Sequence, residues 1–381
     1  MNNRGNHPLP SNNPTSDQSA SVRLKEARRS GKPAAIADAL AAHASKLVQE
    51  GKIGFARNEI DEAIDINQQL GKIYDQARLT QFSATLCRLE GNLPEAKRRA
   101  ILSANLAEQI HNSLAANPII VGSATELGEI ALTEGDGDSA AYAFGQAYEL
   151  GIKSGLLETL QSSLLRKKAA ALALAGKQSN AAIELESAYN LLIKNGDTVN
   201  AIRTRIEQIS ALIQSTSIPT EFNLEKLITE TRQNAESSGD HATLADINIL
   251  LATQALQQNN PLSALAAAKL ARNEALAGRA PIQYISSSAV ISQLEESNGN
   301  RIAAYGTLAA GWATLGDLLG PQVARATYEP LLQQMRERWG NAAFWEVKAS
   351  YDDMRRSMLA SEAETSDKRN DPKPSGGAQI S

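Results

Sequence analysis

The sequence is short of the residues that build disulfide bonds and metal sites. Its 381 residues include one cysteine, Cys87, and four histidines. A single cysteine excludes an internal disulfide and is typical of a protein from a reducing compartment. No two of the histidines have the spacing of metal ligands, and their number is too low for most zinc sites. The sequence therefore predicts neither a bound metal nor another cofactor.

Aromatic residues and an excess of either charge are also missing. Aromatic residues make up 4% of the chain, whereas alanine and leucine are abundant. This composition favours helices and argues against a β-sandwich or a propeller. Lys and Arg number 38 against 42 Asp and Glu, which leaves a net charge of −4. The chain thus lacks the basic field that attracts nucleic acid, and we expect an all-α protein that does not bind it.

No run of apolar residues approaches the roughly 18 that a membrane-spanning helix needs. Residues 1–21 contain no apolar core of a secretory signal peptide. The basic segment 21–33 leaves a transit peptide open, although Asp17 and Glu26 are at odds with the acid-poor composition of such peptides. We expect a cytoplasmic protein that does not insert into a membrane.

Motifs for catalysis are absent as well. Gly176 and Lys177 are followed by Gln178 rather than by the Ser or Thr of a phosphate-binding loop. No Gly-x-Gly-x-x-Gly or Gly-x-Ser-x-Gly sequence occurs. Glu108 and His111 have the Glu-x-x-His spacing of di-iron bundles, but that chemistry needs two such pairs and further carboxylates. We therefore predict that the protein is not an enzyme.

The sequence does contain a repeat of about forty residues. Glycine or asparagine anchors recur at Gly51, Gly91, Gly135, Gly176, Asn259 and Gly299. The gaps are 40, 44, 41, 83 and 40 residues, and the gap of 83 spans two units with a worn copy near 216–221. The residue five positions after every anchor is alanine, namely Ala56, Ala96, Ala140, Ala181, Ala264 and Ala304. The ninth position is apolar, and the twelfth after and the seventh before each anchor are small.

These offsets predict pairs of closely packed helices. The fifth, ninth and twelfth positions after the anchor share one helical face, and the seventh position before it lies on the preceding helix. Small side chains at these contacts let two antiparallel helices approach closely. The anchor ends the first helix in a left-handed conformation, where a Cβ is costly. Each unit is thus a helical hairpin that buries its apolar face by stacking on its neighbours.

The pattern resembles the tetratricopeptide repeat (TPR) family, most closely in residues 135–150, GDGDSAAYAFGQAYEL. The period of 40–44 residues exceeds the 34 of that family, which implies longer helices. Long-helix relatives include kinesin light chains, soluble NSF attachment proteins and bacterial peptide-sensing regulators. The resemblance covers about residues 33–319. It implies a right-handed α-α superhelix, a solenoid of about seven TPR-like hairpins.

Three segments flank this array. Residues 1–32 and 362–381 are poor in apolar residues and are predicted to be disordered tails. Residues 320–361 are predicted to form a C-terminal pair of capping helices. This pair breaks the alanine rule and carries Tyr328, Trp339, Phe344, Trp345 and Tyr351. An aromatic docking patch or a homodimer contact is the alternative to a cap.

The resemblance places ligand-binding side chains on the first helix of each hairpin, facing a groove. In the first units, the matching residues and one adjacent cation are Arg78, Gln81, Thr85, Arg88, Thr125, Glu129, Arg166 and Lys167. The matching residues in later units include Asp246, Thr253 and Gln293, which lies six positions before its anchor. Their polarity suits a groove, and it equally suits an ordinary solvated surface. The cations favour an acidic peptide segment. The Lys and Asn with which one TPR subclass holds chaperone carboxylates are missing, so no such co-chaperone role is expected.

The resemblance implies a non-enzymatic scaffold or adaptor that binds a peptide or protein segment in the concave groove. The alternative is a regulatory sensor that binds a small peptide or effector and controls a separate protein. Folds of this kind host many functions, so the residues alone leave the partner open.

Overall fold

A computed structural model describes residues 14–155 and 157–370, with side chains for 20–155 and 157–360. Every regular element in this part of the chain is an α-helix, as the alanine-rich composition predicts. The helices form two compact units, and the division lies between Pro219 and Thr220.

The first unit contains ten helices. They are α1 Pro14–Ser30, α2 Pro33–Gln49, α3 Ile53–Gln69, α4 Ile73–Leu89, α5 Leu93–Glu108, α6 Ser113–Glu134, α7 Gly137–Lys153, α8 Glu158–Leu174, α9 Gln178–Lys194 and α10 Thr198–Gln214. From α2 to α9 they pack as four successive hairpins, and each hairpin also packs on the next. These are four of the hairpins that the forty-residue repeat predicts.

The second unit contains seven helices. They are α11 Leu224–Ser238, α12 His241–Gln257, α13 Pro261–Ala277, α14 Pro281–Ser297, α15 Arg301–Leu319, α16 Pro321–Trp339 and α17 Asn341–Asn370. α12 and α13 form one hairpin, α14 and α15 a second, and α16 and α17 are the last pair. The worn repeat copy predicted near 216–221 coincides with the stretch in which the chain passes from the first unit to the second.

The hairpin turns follow from the anchor residues and from the residues that begin the next helix. All six predicted anchors have positive φ, between 55° at Asn259 and 80° at Gly91 and Gly299. At Gly51 the N–H donates to the carbonyl of Val48 at 3.0 Å, and the next N–H donates to that of Leu47 at 2.8 Å. This pair of bonds is the Schellman motif, which satisfies the last carbonyls of a helix.

Side chains of Asn and Asp begin many of the helices. The carboxylate of Asp136 accepts from the N–H of Ser139 at 3.0 Å, and Asn92, Asp197, Asp240 and Asn300 cap their helices in the same way. Each cap satisfies one of the four N–H groups that have no partner inside the helix. Short turns of this kind keep consecutive helices antiparallel and adjacent.

The predicted packing register is confirmed. All six alanines at the fifth position are fully buried, with 0% exposure. The smallest residue at the seventh position before an anchor is Gly128, on α6. A Cβ there would lie 2.6 Å from the ring of Phe144, the residue at the ninth position of the same hairpin. The phenyl ring therefore fits only because its neighbour on the facing helix has no side chain.

The junctions between hairpins contain left-handed residues that the sequence analysis missed. Gly31, Gly71, Gly155, Gly196 and Gly239 all have φ between 64° and 73°. They alternate with the predicted anchors at intervals of about twenty residues. The structural period is thus one helix and one turn, and the forty-residue repeat contains two of them.

The helices extend into both stretches that the sequence predicts to be disordered. α1 occupies much of 1–32, because Leu24 is 8% exposed and packs in a cluster with Ala37 and Leu40 of α2. Leu24 thus packs α1 against α2, although the polar composition of the segment predicts disorder. α17 continues to Asn370, since no Gly or Pro interrupts it before Pro372. Residues 1–13 and 371–381 of the predicted tails lie outside the described residues.

Candidate functional site

The eight predicted groove residues lie on three first helices of the first unit. Arg78, Gln81, Thr85 and Arg88 are on α4, Thr125 and Glu129 on α6, and Arg166 and Lys167 on α8. Arg78 is exposed and the other seven residues are half-buried. The seven half-buried residues lie where neighbouring helices pack, so their polar groups can contact those of the next helix.

Two of the α4 residues converge on one buried carboxylate. Arg88 donates from Nε to Oε1 of Glu126 on α6 at 2.5 Å, and Thr85 donates from Oγ1 to Oε2 at 2.9 Å. The side chain of Glu126 is 7% exposed and that of Arg88 is 22% exposed. A carboxylate so removed from water requires these donors, because an unpaired buried charge is costly.

The α8 cations have partners of the same kind. Lys167 donates to Glu129 on α6, and Arg166 donates to Glu207 on α10 at 2.5 and 3.1 Å. Together with the contacts of Glu126, these bonds join α4 to α6, α6 to α8 and α8 to α10. We call this set the ion-pair ladder. It links neighbouring hairpins and neutralises the cations that the sequence analysis assigned to an acidic peptide.

The remaining predicted groove residues form fewer contacts with other helices. The hydroxyl of Thr125 donates to the carbonyl of Val121 in its own helix at 2.8 Å. The amide of Gln81 lies against Gly122, where a Cβ would come within 2.7 Å of it. Arg78 is 4.0 Å from Asp75 and its side chain is 49% exposed. Of the four predicted groove cations, Arg78 is thus the one that has no partner on another helix among the described residues.

Sequence reasoning missed Glu126 and Glu207, two of the three acids of the ladder. Each lies 38 or 41 residues from its cation, which is about one repeat. Opposite charges one repeat apart on first helices are the signal that could have identified them.

The first helices of the second unit have similar links. Gln283 on α14 donates to Asp246 on α12 at 3.2 Å, and burial raises the pKa of the Asp246 carboxyl. Arg338 on α16 donates to Glu296 on α14 at 2.7 and 3.1 Å, and the indole N–H of Trp339 donates to the same carboxylate at 2.6 Å. Hydrogen bonds from Arg338 and then Trp339 lower the pKa of Glu296.

A cavity of about 590 Å³ is lined mainly by the exposed faces of α14 and α16. Its polar lining includes Gln293 and Gln334, and its apolar lining includes Leu308 and Leu331. Gln293 is six residues before the anchor Gly299, which is a predicted groove position. Gln334 is six residues before Gly340, whose φ is 80°. The two glutamines therefore occupy the same position on successive first helices, and we call this space the glutamine cavity.

Both glutamines are exposed, and neither side-chain amide forms a hydrogen bond with the residues that the structure describes. An amide carries two donor hydrogens and an acceptor oxygen. Sequence reasoning placed Gln293 at a groove position but missed Gln334, because it did not include Gly340 among the anchors.

A second cavity, of about 620 Å³, lies between α16 and α17. The fifth position after Gly340 is Trp345, where six other hairpins have a buried alanine, and the seventh position before it is Gln333. Both side chains are exposed, so the last pair lacks the buried contact between small residues that the other hairpins have. The cavity is also lined by Trp312 and Phe344. We call it the C-terminal cleft.

The five aromatic residues predicted for a cap or a docking patch differ in their burial. Tyr328 and Phe344 are buried, at 0% and 6% exposure, and belong to the core of this end of the unit. Trp339 and Tyr351 are half-buried, whereas Trp345 is 52% exposed. The guanidinium of Arg336 lies 5.8 Å from the centre of the Trp345 ring.

The described residues offer little for chemistry. Among them, no three His, Cys, Asp or Glu side chains come together as a possible metal site. Cys87 is buried, and burial raises the pKa of its thiol, so little reactive thiolate forms. The imidazoles of His43 and His241 are paired with Glu59 and Glu274 at 2.8 and 2.7 Å. In the same described range, no helix has the length and apolar character needed to cross a bilayer.

Comparison with known proteins identifies the fold through structure rather than sequence. No family model and no curated protein matches the chain. The crystal structure of a signal transduction ATPase with numerous domains and a tetratricopeptide repeat sensor, from Pyrococcus horikoshii, matches with a TM-score of 0.55 and 12% identity. The match covers 82% of this chain and 46% of that one, so the chain spans less than half of its length.

Two further solved structures are similar at lower scores. Aspartyl phosphate phosphatase F from Bacillus subtilis has a TM-score of 0.48 at 10% identity, over 80% of this chain and 76% of that one. The apo form of the quorum sensor NprR from Bacillus thuringiensis has a TM-score of 0.45 at 9% identity, over 93% and 98%. At the identity of the first match the likeness concerns the fold alone. The chain has an all-α, TPR-like helical-repeat fold.

Proposed function

We propose that this protein is a non-enzymatic scaffold that binds an extended peptide or protein segment across the first helices of its second unit. The observation that carries the proposal is the glutamine cavity. Two unpaired amides, at the same position on successive first helices, flank a space with an apolar lining. The proposal includes no cofactor and no catalysed reaction.

The amides suit the backbone of an extended chain. Gln293 and Gln334 line the same cavity from α14 and α16, and an extended chain rises about 3.3 Å per residue. An extended peptide that crosses the cavity would therefore place different peptide groups against the two amides. Each amide would donate to a carbonyl and accept from an N–H, while Leu308 and Leu331 would contact a side chain between them.

The charges around the cavity favour a ligand that is neutral at this point. Glu296 and Arg338 line the cavity, but they are bonded to each other. A paired acid and base present little net field, so the backbone and apolar side chains of the ligand would supply most of the affinity. The predicted acidic-peptide surface on α4 and α8 is less favoured, because three of its four cations are bonded to carboxylates of other helices.

A random peptide display library selected against the full chain tests the proposal. Peptides that the protein enriches would be measured against the double variant Gln293→Ala/Gln334→Ala and against Gln322→Ala, an exposed glutamine of α16 that does not line the cavity. We expect at least about tenfold weaker binding to the double variant and no change for the control, since each lost hydrogen bond contributes about 1 kcal/mol. Equal binding to all three proteins would refute this site, and Arg78→Glu in the same assay would test the surface on α4.

The size of the glutamine cavity supports a regulatory sensor as a second candidate. Its volume of about 590 Å³ lies within the range of small-ligand pockets. A sensor would hold a short peptide or small effector there and control a separate protein. Trimming the enriched peptides from both ends separates the two functions: a sensor retains affinity for a few residues, whereas a scaffold loses it steadily.

A further inference from the structure

Asp246, a predicted groove residue on α12, has no basic partner among the described residues. Its carboxylate accepts a hydrogen bond from the side-chain amide of Gln283 on α14 at 3.2 Å. The residue is half-buried. Burial raises the pKa of the Asp246 carboxyl, the bond from Gln283 lowers it, and the charge of Asp240 raises it again. The folded chain thus compensates the negative charge at this position only in part.

The other carboxylates of comparable burial on the described first helices all have a basic partner. Each has a lysine or arginine within 4.0 Å, because a charge removed from water is costly when it is unpaired. These carboxylates belong to Asp75, Glu126, Glu129, Glu158, Glu207, Glu295 and Glu296. Asp246 is therefore the exception on this surface.

The exception arises from one residue on the next first helix. Glu129 on α6 and Glu296 on α14 each meet a cation of the following first helix, 38 and 42 residues later. Asp246 on α12 meets Gln283 on α14, 37 residues later. A neutral amide therefore lies where the other two acids face a cation. An amide donates hydrogen bonds but carries no charge, so it does not neutralise the carboxylate.

The position of Asp246 fits a peptide that also reaches the glutamine cavity. Gln283, which contacts Asp246, and Gln293, which lines the cavity, are ten residues apart on α14, about 15 Å along the helix axis. An extended chain covers that distance in about five residues. Ile249 and Leu250 follow Asp246 by about one helical turn and are half-buried. They offer apolar surface to the methylene groups of a long basic side chain.

We propose that Asp246 binds a lysine or arginine side chain of the peptide or protein segment that crosses the second unit. The inference rests on the proposed function and adds a charge requirement to it. The ligand has a basic residue about five residues from the one that occupies the glutamine cavity. Its cation supplies the charge that Gln283 lacks. A ligand with a neutral or acidic residue at that point leaves the carboxylate uncompensated, so Asp246 selects among ligands.

Two selections from one random peptide display library test this charge requirement. One selection uses the full wild-type chain, and the other uses the full Asp246→Asn chain, which keeps the shape of the side chain and removes its charge. Asp317→Asn is the matched control, at an exposed site on α15 with no ion pair among the described residues. Circular dichroism verifies that each variant remains helical.

We expect peptides selected by the wild type and by the control to share a lysine or arginine at one position, and this preference to disappear with Asp246→Asn. A selected peptide should bind Asp246→Asn at least about tenfold more weakly than the wild type, because a hydrogen bond between charged groups is lost. The same peptide with glutamine in place of its basic residue should bind both proteins equally, since the two changes remove one contact. Selected peptides without a shared basic residue would overturn the inference. So would a basic residue whose replacement weakens binding to both proteins by the same factor.

The glutamine variants separate this inference from the proposed function. Peptides that bind Gln293→Ala/Gln334→Ala weakly but bind Asp246→Asn like the wild type would refute the role of Asp246 alone. Peptides that depend on Asp246 and not on the two glutamines would support its role and refute the glutamine cavity. A library from which the wild-type chain enriches no peptide would refute both.

Discussion

The third hairpin and the last helix pair show opposite uses of the same repeat positions. In α6–α7 the fifth position is the buried Ala140, and Gly128 on the facing helix leaves room for the ring of Phe144. In α16–α17 the fifth position is the exposed Trp345, the facing residue is Gln333, and a cavity of about 620 Å³ remains between the helices. The same repeat positions thus accompany a closed helix pair in one place and a cavity between two helices in the other.

The ion pairs differ between these regions in the same sense. In the first unit, pairs such as Arg88–Glu126 and Arg166–Glu207 join different helices. In the last pair, Arg325–Glu329 and Lys348–Asp352 join residues four apart on one helix. Among the described residues, no ion pair connects α16 with α17. Ion pairs thus join successive hairpins of the first unit, whereas among the described residues of the last pair Arg338–Glu296 is the one that reaches a different helix, α14.

The largest expected effect comes from replacing Ala140 of the third hairpin by tryptophan, the residue that the last pair has at the same position. Ala140→Trp places an indole in a fully buried contact between closely packed helices. We expect the free energy of unfolding to fall by about 3 kcal/mol or more, because overpacking forces the helices apart. The exposed control Ala349→Trp on α17 should change it by less than about 0.5 kcal/mol. Chemical denaturation measures both, and equal losses would contradict the comparison.

The hairpin register was predictable because it depends on local chemistry. Left-handed anchors need Gly or Asn, and close helix contacts need alanine, so both requirements appear directly in the sequence. The groove positions, including Gln293, came from the resemblance to TPR proteins and remain a prediction. The partners of Arg88 and Arg166 were missed, because a spacing of one repeat between opposite charges becomes informative only when the first helices are taken to lie side by side. The sequence also shows that the last pair has Trp345 in place of the usual alanine. It did not predict the cleft between α16 and α17.

A second prediction concerns the fit of one ring against one glycine. Gly128→Ala should cost about 2 kcal/mol, because the new Cβ would lie 2.6 Å from the buried ring of Phe144. The double variant Gly128→Ala/Phe144→Leu has the combination found in the next hairpin, Ala169 with Leu185, and should recover most of that loss. A double-mutant cycle measures the coupling. If the two changes simply add, the close contact is not what determines the glycine.

The ion-pair ladder gives a smaller effect. Arg88→Ala removes a donor from Glu126, whose side chain is only 7% exposed. We expect a loss of about 1–2 kcal/mol in unfolding free energy, because the carboxylate stays buried with only Thr85 as a partner. Arg78→Ala, on the exposed face of the same helix, is the control and should stay within about 0.5 kcal/mol. A similar loss for both arginines would mean that the ladder contributes nothing specific.

The smallest effect is a pH dependence that only the joined hairpins should show. Hydrogen bonds from Arg98 and then Arg99 lower the pKa of Glu95 from 4.5 to about 2. Because the folded-state pKa lies below the unfolded one, this carboxylate stabilises the fold above about pH 4.5, and the contribution disappears as the pH falls towards about 2. Thermal melts of Glu95→Gln should therefore lose less stability than the wild type between about pH 5 and about pH 2.

The matched variant for this measurement is Glu329→Gln on α16. Arg325 lowers the pKa of Glu329 in the same direction, but the pair is fully exposed and lies within one helix. Solvent screens such a pair, so its melts should follow those of the wild type at every pH. Arg99 makes the difference at Glu95, because it also bonds to Asp61 on α3 and thereby ties the carboxylate to a neighbouring hairpin. If both variants gave the same curve, linkage between helices would not be what separates the two regions.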